Sequence, residues 1–309
     1  MGGLVILFPG QGAQKTGMGK DFYDRYESAR EIFDRANETL PELKLKELCF
    51  EGPDEELVKT EKTQPALYTV GFVIYRVLKE MGINGEIFGG HSLGEYIAVA
   101  AAGYMDFEEG LRLVYRRGIL MRDCDPERKG GMAAIIGMDR ETIEKVCREI
   151  GDVFPANFNS PSQIVISGLK EKVEEASKRL KEMGAKRCVT LNVSGAFHSP
   201  FMAEAQKELE KALNSVNWRQ GNGKIISNAT AKLTDSPEVI KENLLKQLSS
   251  PVLWSESMSY LVREGYKNYL ECGPGGVLKG LFRSISREAD VIPVGSIDDI
   301  SRVEEFLQA

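Results

Sequence analysis

The chain has 309 residues, 42 % hydrophobic and 28 % charged, with a formal net charge of −6. That length fits one large domain or a domain carrying an insertion, and the composition is that of a soluble globular protein. The acidic balance argues against nucleic acid, which needs a basic face. It also argues against an acidic partner held by bulk charge rather than by a local basic patch.

The five cysteines, Cys49, Cys124, Cys147, Cys188 and Cys272, are odd in number and form no C-x-x-C pair. This is the pattern of reduced thiols in a cytoplasmic protein. The two histidines, His91 and His198, exclude a histidine-rich metal site. MGGLVILFPG (1–10) lacks a basic start, its apolar run is too short for a signal peptide or a membrane span, and Ile6 stands where a myristoylation signal needs Ser or Thr. A cytoplasmic protein with no membrane contact is expected.

In chain order, LVILF (4–8) is an apolar run ending at Pro9-Gly10, the mark of a strand buried on both faces. Phe22, Tyr26, Ala29, Phe33 and Ala36 recur at helical spacing. Gln64-Pro65 begins the next helix, with Pro65 at its first position and Leu67, Val70, Ile74, Val77 and Leu78 on its apolar face. Residues 86–88 form a short strand, and LGEYIAVAAA (93–102) a helix stopping near Gly103. Asp106 and Glu109 have capping-box spacing for a helix through Arg122.

The middle of the chain changes rhythm. MAAIIG (132–137) reads as a strand and RETIEKVCREIG (140–151) as a helix. FPANF (154–158) and QIVISG (163–168) are strands around a turn at 159–161. KEKVEEASKRLKEMG (170–184) is a helix and AKRCVTLNV (185–193) a strand. This β-α-β-β-α-β order is the ferredoxin-like unit. The expected architecture is therefore α/β: a large domain with a mainly parallel sheet, residues 1–127 and 197–309, with a small domain inserted at 128–196. Asp125-Pro126 through Gly131 serves as entry linker, and strands are expected near 224–229 and 266–271.

The stretch FGGHSLGEY (88–96) contains G-x-S-x-G, the nucleophile-elbow pattern, with a strand before it and a helix after it. Glycines flank such a serine because a Cβ there would collide with the neighbouring strand and helix. The alternative is an ordinary strand-to-helix turn with a serine cap. A serine needs a base. His91 is adjacent, so its side chain leaves the turn in another direction. His198, in SGAFHSPFM (194–202), also falls between a strand and a helix, where open α/β sheets place ligands. No feature marks a third, carboxylate member. The loop FPGQG (8–12) could present backbone N–H groups to an oxyanion, with Leu93 N–H as second donor. GQGAQKTGMG (10–19) fits neither common nucleotide-binding loop.

Taken together, FPGQGAQ (8–14), TQPAL (63–67), GHSLGEY (90–96), GMAAIIG (131–137), NFNSP (157–161), GAFHS (195–199) and ECGPGGVL (271–278) occur in an order that resembles the bacterial malonyl-CoA:acyl carrier protein transacylases. These are relatives of polyketide-synthase acyltransferase domains. The resemblance covers nearly the whole chain and implies an α/β-hydrolase-like large domain with a ferredoxin-like insertion. It implies that Ser92 attacks malonyl-CoA, that His198 is its base, and that the N–H groups of Gln11 and Leu93 form the oxyanion hole. It further implies that the backbone carbonyl of Gln247, in QLSSPV (247–252), orients the histidine, and that Arg117 rather than Arg116 pairs with the malonyl carboxylate. Gln64, Asn157 and Asn159 are expected to line the cleft, and Phe197 to narrow it beside the α-carbon. Acyl carrier protein is the implied partner, and Lys186 and Arg187 are candidates for its basic docking patch. No cofactor is implied, malonyl-CoA being the substrate, and a monomer is expected. The rival readings are a serine esterase or thioesterase and a non-catalytic docking scaffold.

Overall fold

The computed structural model describes residues 3–125, 127, 129–193 and 195–308. Among the described residues, ten strands fall in two sheets. β1 (Val5–Phe8), β2 (Ile87–Gly90), β7 (Lys224–Ile226), β8 (Leu233–Thr234), β9 (Asn268–Cys272) and β10 (Asp290–Val294) form one, in the order β10-β9-β1-β2-β7-β8. All its pairs are parallel except β7 with β8. β3 (Gly130–Ile136), β4 (Val153–Ser160), β5 (Gln163–Leu169) and β6 (Arg187–Thr190) form an antiparallel sheet in the order β4-β5-β3-β6.

Strand β1 occupies the centre of the large sheet, and each of its four residues is 0 % exposed. Its side chains alternate between two cores, as the pleat requires. Ile6 and Phe8 pack with the helices Thr60–Glu80 and Leu93–Ala101. Val5 and Leu7 pack with Trp254, Met258, Leu278 and Phe282 on the opposite face. The small sheet has its own core, in which Ile135, Ile164 and Ile166 meet Ile143, Val146, Val173 and Leu180 of two helices. It is joined to the rest by a bridge between Asn157 and Val252. All five cysteines are free thiols.

Several expectations change. The helix expected at Gln64-Pro65 begins at Thr60 and carries Pro65 inside it. The extra turn is held from outside: Thr60 Oγ1 donates to Gln11 Oε1, Thr63 Oγ1 donates to the Leu57 carbonyl, and Gly118 lets a crossing helix lie against Glu61. Tertiary packing thus outweighs the missing N–H. Asp106 precedes the helix Phe107–Asp123 but makes no cap bond; it pairs with Arg219, while Glu109 accepts from Asn217 N. β4 runs on through Asn159 and Ser160, moving the turn to Pro161-Ser162. β6 ends at Thr190, and strands β8 and β10 had no expectation. The proposed boundary at 127/128 lies beside Pro126 and Arg128, which are outside the described residues.

The register Phe8↔Gly90 brings the ends of β1 and β2 level, so FPGQG and HSLGE leave the sheet side by side. Glycine makes this possible. A Cβ on Gly94 would stand 2.0 Å from the Phe8 carbonyl oxygen, and one on Gly90 2.1 Å from the Gly94 carbonyl carbon. Gly94→Ala should therefore destabilise by about 2–3 kcal/mol through overpacking against backbone. Gly280→Ala, in a helix with nothing within 4 Å of the new methyl, should be neutral or stabilising. Urea unfolding of both variants tests the contrast, and equal effects would mean that the β1–elbow approach is not rigid.

Candidate active site

Ser92 sits between β2 and the helix Leu93–Ala101 at φ 51°, ψ −102°. A non-glycine residue there stores roughly 1–3 kcal/mol of strain and persists only if its surroundings hold it. They do so on both sides. Ser92 N donates to Asn228 Oδ1 at 2.7 Å, and the Ser92 carbonyl accepts from Gln247 Nε2 at 2.9 Å. Asn228 Nδ2 also donates to the Gly90 carbonyl at 2.8 Å.

His198 too has a left-handed backbone, φ 56°, in the turn before Pro200. Its Nε2 lies 2.8 Å from Ser92 Oγ and its Nδ1 2.9 Å from the Gln247 carbonyl oxygen. A carbonyl only accepts, so Nδ1 carries the proton and Nε2 presents its lone pair to the serine hydroxyl. Burial, with the Arg117 charge beside it, pushes the His198 pKa down to about 3. The imidazole is thus neutral at neutral pH, the form a general base needs.

Arg117 is 1 % exposed, whereas its neighbour Arg116 faces solvent on the other side of the helix. Nη1 donates to Gln64 Oε1 at 2.8 Å; Nη2 donates to Ser92 Oγ at 2.9 Å and to Gln247 Oε1 at 3.0 Å. Nε has no partner among the described residues, and the guanidinium carbon lies 5.1 Å from the Tyr96 ring centre. All three acceptors are neutral. Among the described residues its hydrogen bonds reach no carboxylate, and burial lowers its pKa. A buried guanidinium so placed is costly until an anion joins it.

The remaining site candidates are distributed as follows. The N–H groups of Gln11 and Leu93 donate to no acceptor among the described residues, while the Gln11 side chain is fixed by Thr60. Gln64, 1 % exposed, orients Arg117 and donates to Thr60 Oγ1 and Met121 sulfur. Asn159 Oδ1 holds His91 Nε2 at 2.8 Å, so this side chain ties β4 to the elbow rather than standing free. Asn157, on the same strand, and Phe197, next to His198, are both buried. Lys186 and Arg187 are exposed at the start of β6. A cleft of about 910 Å³ runs between Lys59–Glu61, Arg122, Lys170 and the segment Thr190–Val193, and shares Gln11 with the site. Neither Ser92 nor His198 lines it, and β6 reaches it with Thr190, the end opposite Arg187. Among the described residues no group of three or more His, Cys, Asp or Glu is arranged to hold a metal ion.

Three participants escaped the sequence reading: Asn228, the Gln247 side chain and Glu95. Glu95 is 1 % exposed; its Oε2 accepts from Gln247 Nε2 at 2.6 Å and from Asn228 N at 3.2 Å. A lone acid in the apolar run LGEYIAVAAA and an asparagine just beyond the apolar end of the expected strand KIISNA were the available signals.

Comparison with known proteins bears on the chain as a whole. Residues 5–297 match the acyl transferase domain family. The malonyl CoA-acyl carrier protein transacylase of Bacillus subtilis (strain 168) is 42 % identical over 312 residues, covering 100 % of this chain and 98 % of that protein. The crystal structure of an acyl carrier protein S-malonyltransferase from Vibrio cholerae is 38 % identical with a TM-score of 0.93, over 97 % of this chain and 99 % of that one. A malonyl-transacylase in complex with its type II polyketide acyl-carrier protein is likewise 38 % identical, with a TM-score of 0.94 over 98 % of this chain and 99 % of that one. With a strained serine, a neutral histidine and a buried arginine at the end of a parallel sheet, the chain belongs to the acyl transferase family, among the malonyl-CoA:acyl carrier protein transacylases.

Proposed function

We propose that this chain moves the malonyl group of malonyl-CoA to the phosphopantetheine thiol of acyl carrier protein, in fatty-acid synthesis, through a malonyl ester on Ser92. The observation that carries the reading is Arg117: a buried cation whose partners among the described residues are all neutral, donating to the very oxygen that would attack.

In the first half-reaction Ser92 Oγ attacks the thioester carbon while His198 Nε2 takes its proton. The developing oxyanion is met by the N–H groups of Gln11 and Leu93. As the C–S bond breaks, His198 returns the proton to the coenzyme A thiolate. The second half-reaction runs the same steps in reverse with the carrier thiol. The Gln247 carbonyl keeps the imidazole in the working tautomer. Arg117 holds the free malonyl carboxylate through two charge-assisted hydrogen bonds and disfavours an acetyl group, which would leave it unpaired.

The relative solved with its carrier protein supports acyl carrier protein as the acceptor. The cleft that meets the site at Gln11 is the proposed path for the pantetheine arm, with Lys186 and Arg187 as basic docking residues further along β6. Asn157 and Phe197 are proposed to shape the acyl side of the site. The enzyme is proposed to act as a cytoplasmic monomer without a cofactor. The architecture is proposed to be an α/β-hydrolase-like domain, 1–127 and 197–309, with a ferredoxin-like insertion at 128–196; the small sheet's β4-β5-β3-β6 order supports the insertion. An esterase or thioesterase would have no use for the buried Arg117, and a scaffold none for the Ser92–His198 contact.

Intact-protein mass spectrometry after mixing with malonyl-CoA should find a malonyl adduct on the parent chain and none on Ser92→Ala. Carrier protein should then discharge it, more slowly when Lys186 and Arg187 are charge-reversed. An adduct lost equally fast without carrier would mean a hydrolase. Arg117→Ala should lower kcat/KM for malonyl-CoA by about 10²–10³-fold, the cost of truncating a buried charge contact, and raise transfer from acetyl-CoA. Unchanged malonyl transfer would remove the carboxylate assignment. Because the His198 pKa is held to about 3, its base form persists as the pH falls, and kcat/KM should not decline between pH 7 and 5. A half-maximal loss near 6.5 would mean that water reaches the imidazole and restores its ordinary pKa.

A further inference from the structure

The helix that follows the elbow carries a single charged side chain, Glu95, one turn beyond Ser92. The two residues that bond its carboxyl group are the two that grip the serine backbone. Gln247 Nε2 divides its hydrogens between Glu95 Oε2 and the Ser92 carbonyl. Asn228 donates its N–H to Glu95 Oε2 while its side chain spans Ser92 N and the Gly90 carbonyl. The same Gln247 takes Arg117 Nη2 on its amide oxygen and His198 Nδ1 on its backbone carbonyl. The serine, the base and the arginine therefore share one anchor, and Glu95 fixes it.

We propose that Glu95 is the positioning residue that holds elbow, His198 and Arg117 in one geometry, and that its ionisation weakens the binding of a substrate carboxylate at Arg117. The second half rests on the reading that Arg117 receives the malonyl carboxylate. Glu95 faces Arg117 across the Gln247 amide, with the Ser227 hydroxyl and Asn228 beside it, Tyr96 on its own helix, and His198 beyond Gln247. Burial raises the Glu95 pKa to about 7, against the hydrogen bonds from Gln247 and Asn228 and the charge of Arg117, the charged group among these, which favour the carboxylate form. A ligand carboxylate at Arg117 neutralises that cation and adds a like charge. Binding therefore draws a proton onto Glu95, and by reciprocity the ionised form binds the ligand less well. The apparent KM for malonyl-CoA should rise as pH rises through the neutral range.

The test is kcat and KM for malonyl-CoA between pH 6 and 9 for the parent, Glu95→Gln and Glu95→Ala, with the malonyl adduct followed by mass. The parent KM should rise about tenfold, as for two like charges separated by one amide group. Glu95→Gln keeps an oxygen for Gln247 and Asn228 and should flatten that rise, with a smaller loss of kcat than Glu95→Ala. Glu95→Ala, which frees Gln247, should lower kcat at least about tenfold, as loss of an outer partner does elsewhere. A folded Glu95→Ala with parental kcat, a Glu95→Gln that keeps the parental slope, or a parent with a flat KM would each overturn the proposal. If Glu95→Ala does not fold, the Glu95→Gln profile decides alone. A parent that forms no Ser92 adduct would instead remove the transferase reading, an outcome the mass measurement separates from the others.

Discussion

Everything at the site depends on how closely two pieces of backbone approach. The Gly94 α-carbon lies against the Phe8 carbonyl, and Gly90 against Gly94, at separations no side chain would permit. This contact aligns the ends of β1 and β2 and forces the chain to reverse within one residue. Ser92 absorbs the reversal in its left-handed φ. Its side chain is then lifted off the sheet, toward whatever the rest of the fold brings opposite. The strain is local, but what sustains it is not. Asn228 comes from the turn just after β7 and Gln247 from the end of the helix Pro237–Gln247, each well over a hundred residues away in sequence.

A second constraint is the management of charge in a dry site. A carboxylate beside His198 would orient the ring as well as the Gln247 carbonyl does. It would also sit within reach of Arg117 and form the ion pair that Arg117 lacks among the described residues. The guanidinium would then be satisfied before any substrate arrived. A carbonyl partner for the histidine and amide oxygens for the arginine leave the cation available, and its own field helps keep His198 neutral. On the proposed reading of Arg117, the lack of a carboxylate beside the dyad among the described residues follows from the need to keep that cation free. Glu95 fits the same logic, for it meets the arginine only through an amide.

The sequence made the local features legible and left the distant ones hidden. The elbow was readable because glycine, serine and glycine at fixed spacing record a backbone collision within five residues. The two-sided burial of β1 was readable because LVILF is apolar without a break. The β-α-β-β-α-β order followed from periodicity alone. The helix start at Thr60 was not readable, since it depends on Gln11, Leu57 and Gly118 rather than on its own residues. The capping pair Asp106 and Glu109 misled because the segment 217–219 competes for both carboxylates. Arg117 and Arg116 look alike in RLVYRRGILM until the helix turns one inward; the family resemblance separated them where periodicity had not.

The two sheets divide the work. The groups proposed for chemistry and for the acyl carboxylate, Ser92, Leu93, Arg117, His198 and Gln247, lie outside the small sheet, on elements around the large one or on the turn leading back to it. The cleft that leads to Gln11 takes one wall from the small sheet, through Met132, Thr190 and the helix Lys170–Glu182. On the proposed reading, the acyl group is selected by a rigid set of groups while access is shaped by a separately packed unit with its own core. The two are not independent. Asn159 on β4 bonds His91, the residue before Ser92, and Val252 pairs with Asn157 a few residues after Gln247. A shift of the small sheet is therefore felt on both sides of Ser92, at His91 directly and at Gln247 through the chain that joins it to Val252. That connection ties the cleft, the proposed way in, to the geometry of the Ser92 hydroxyl.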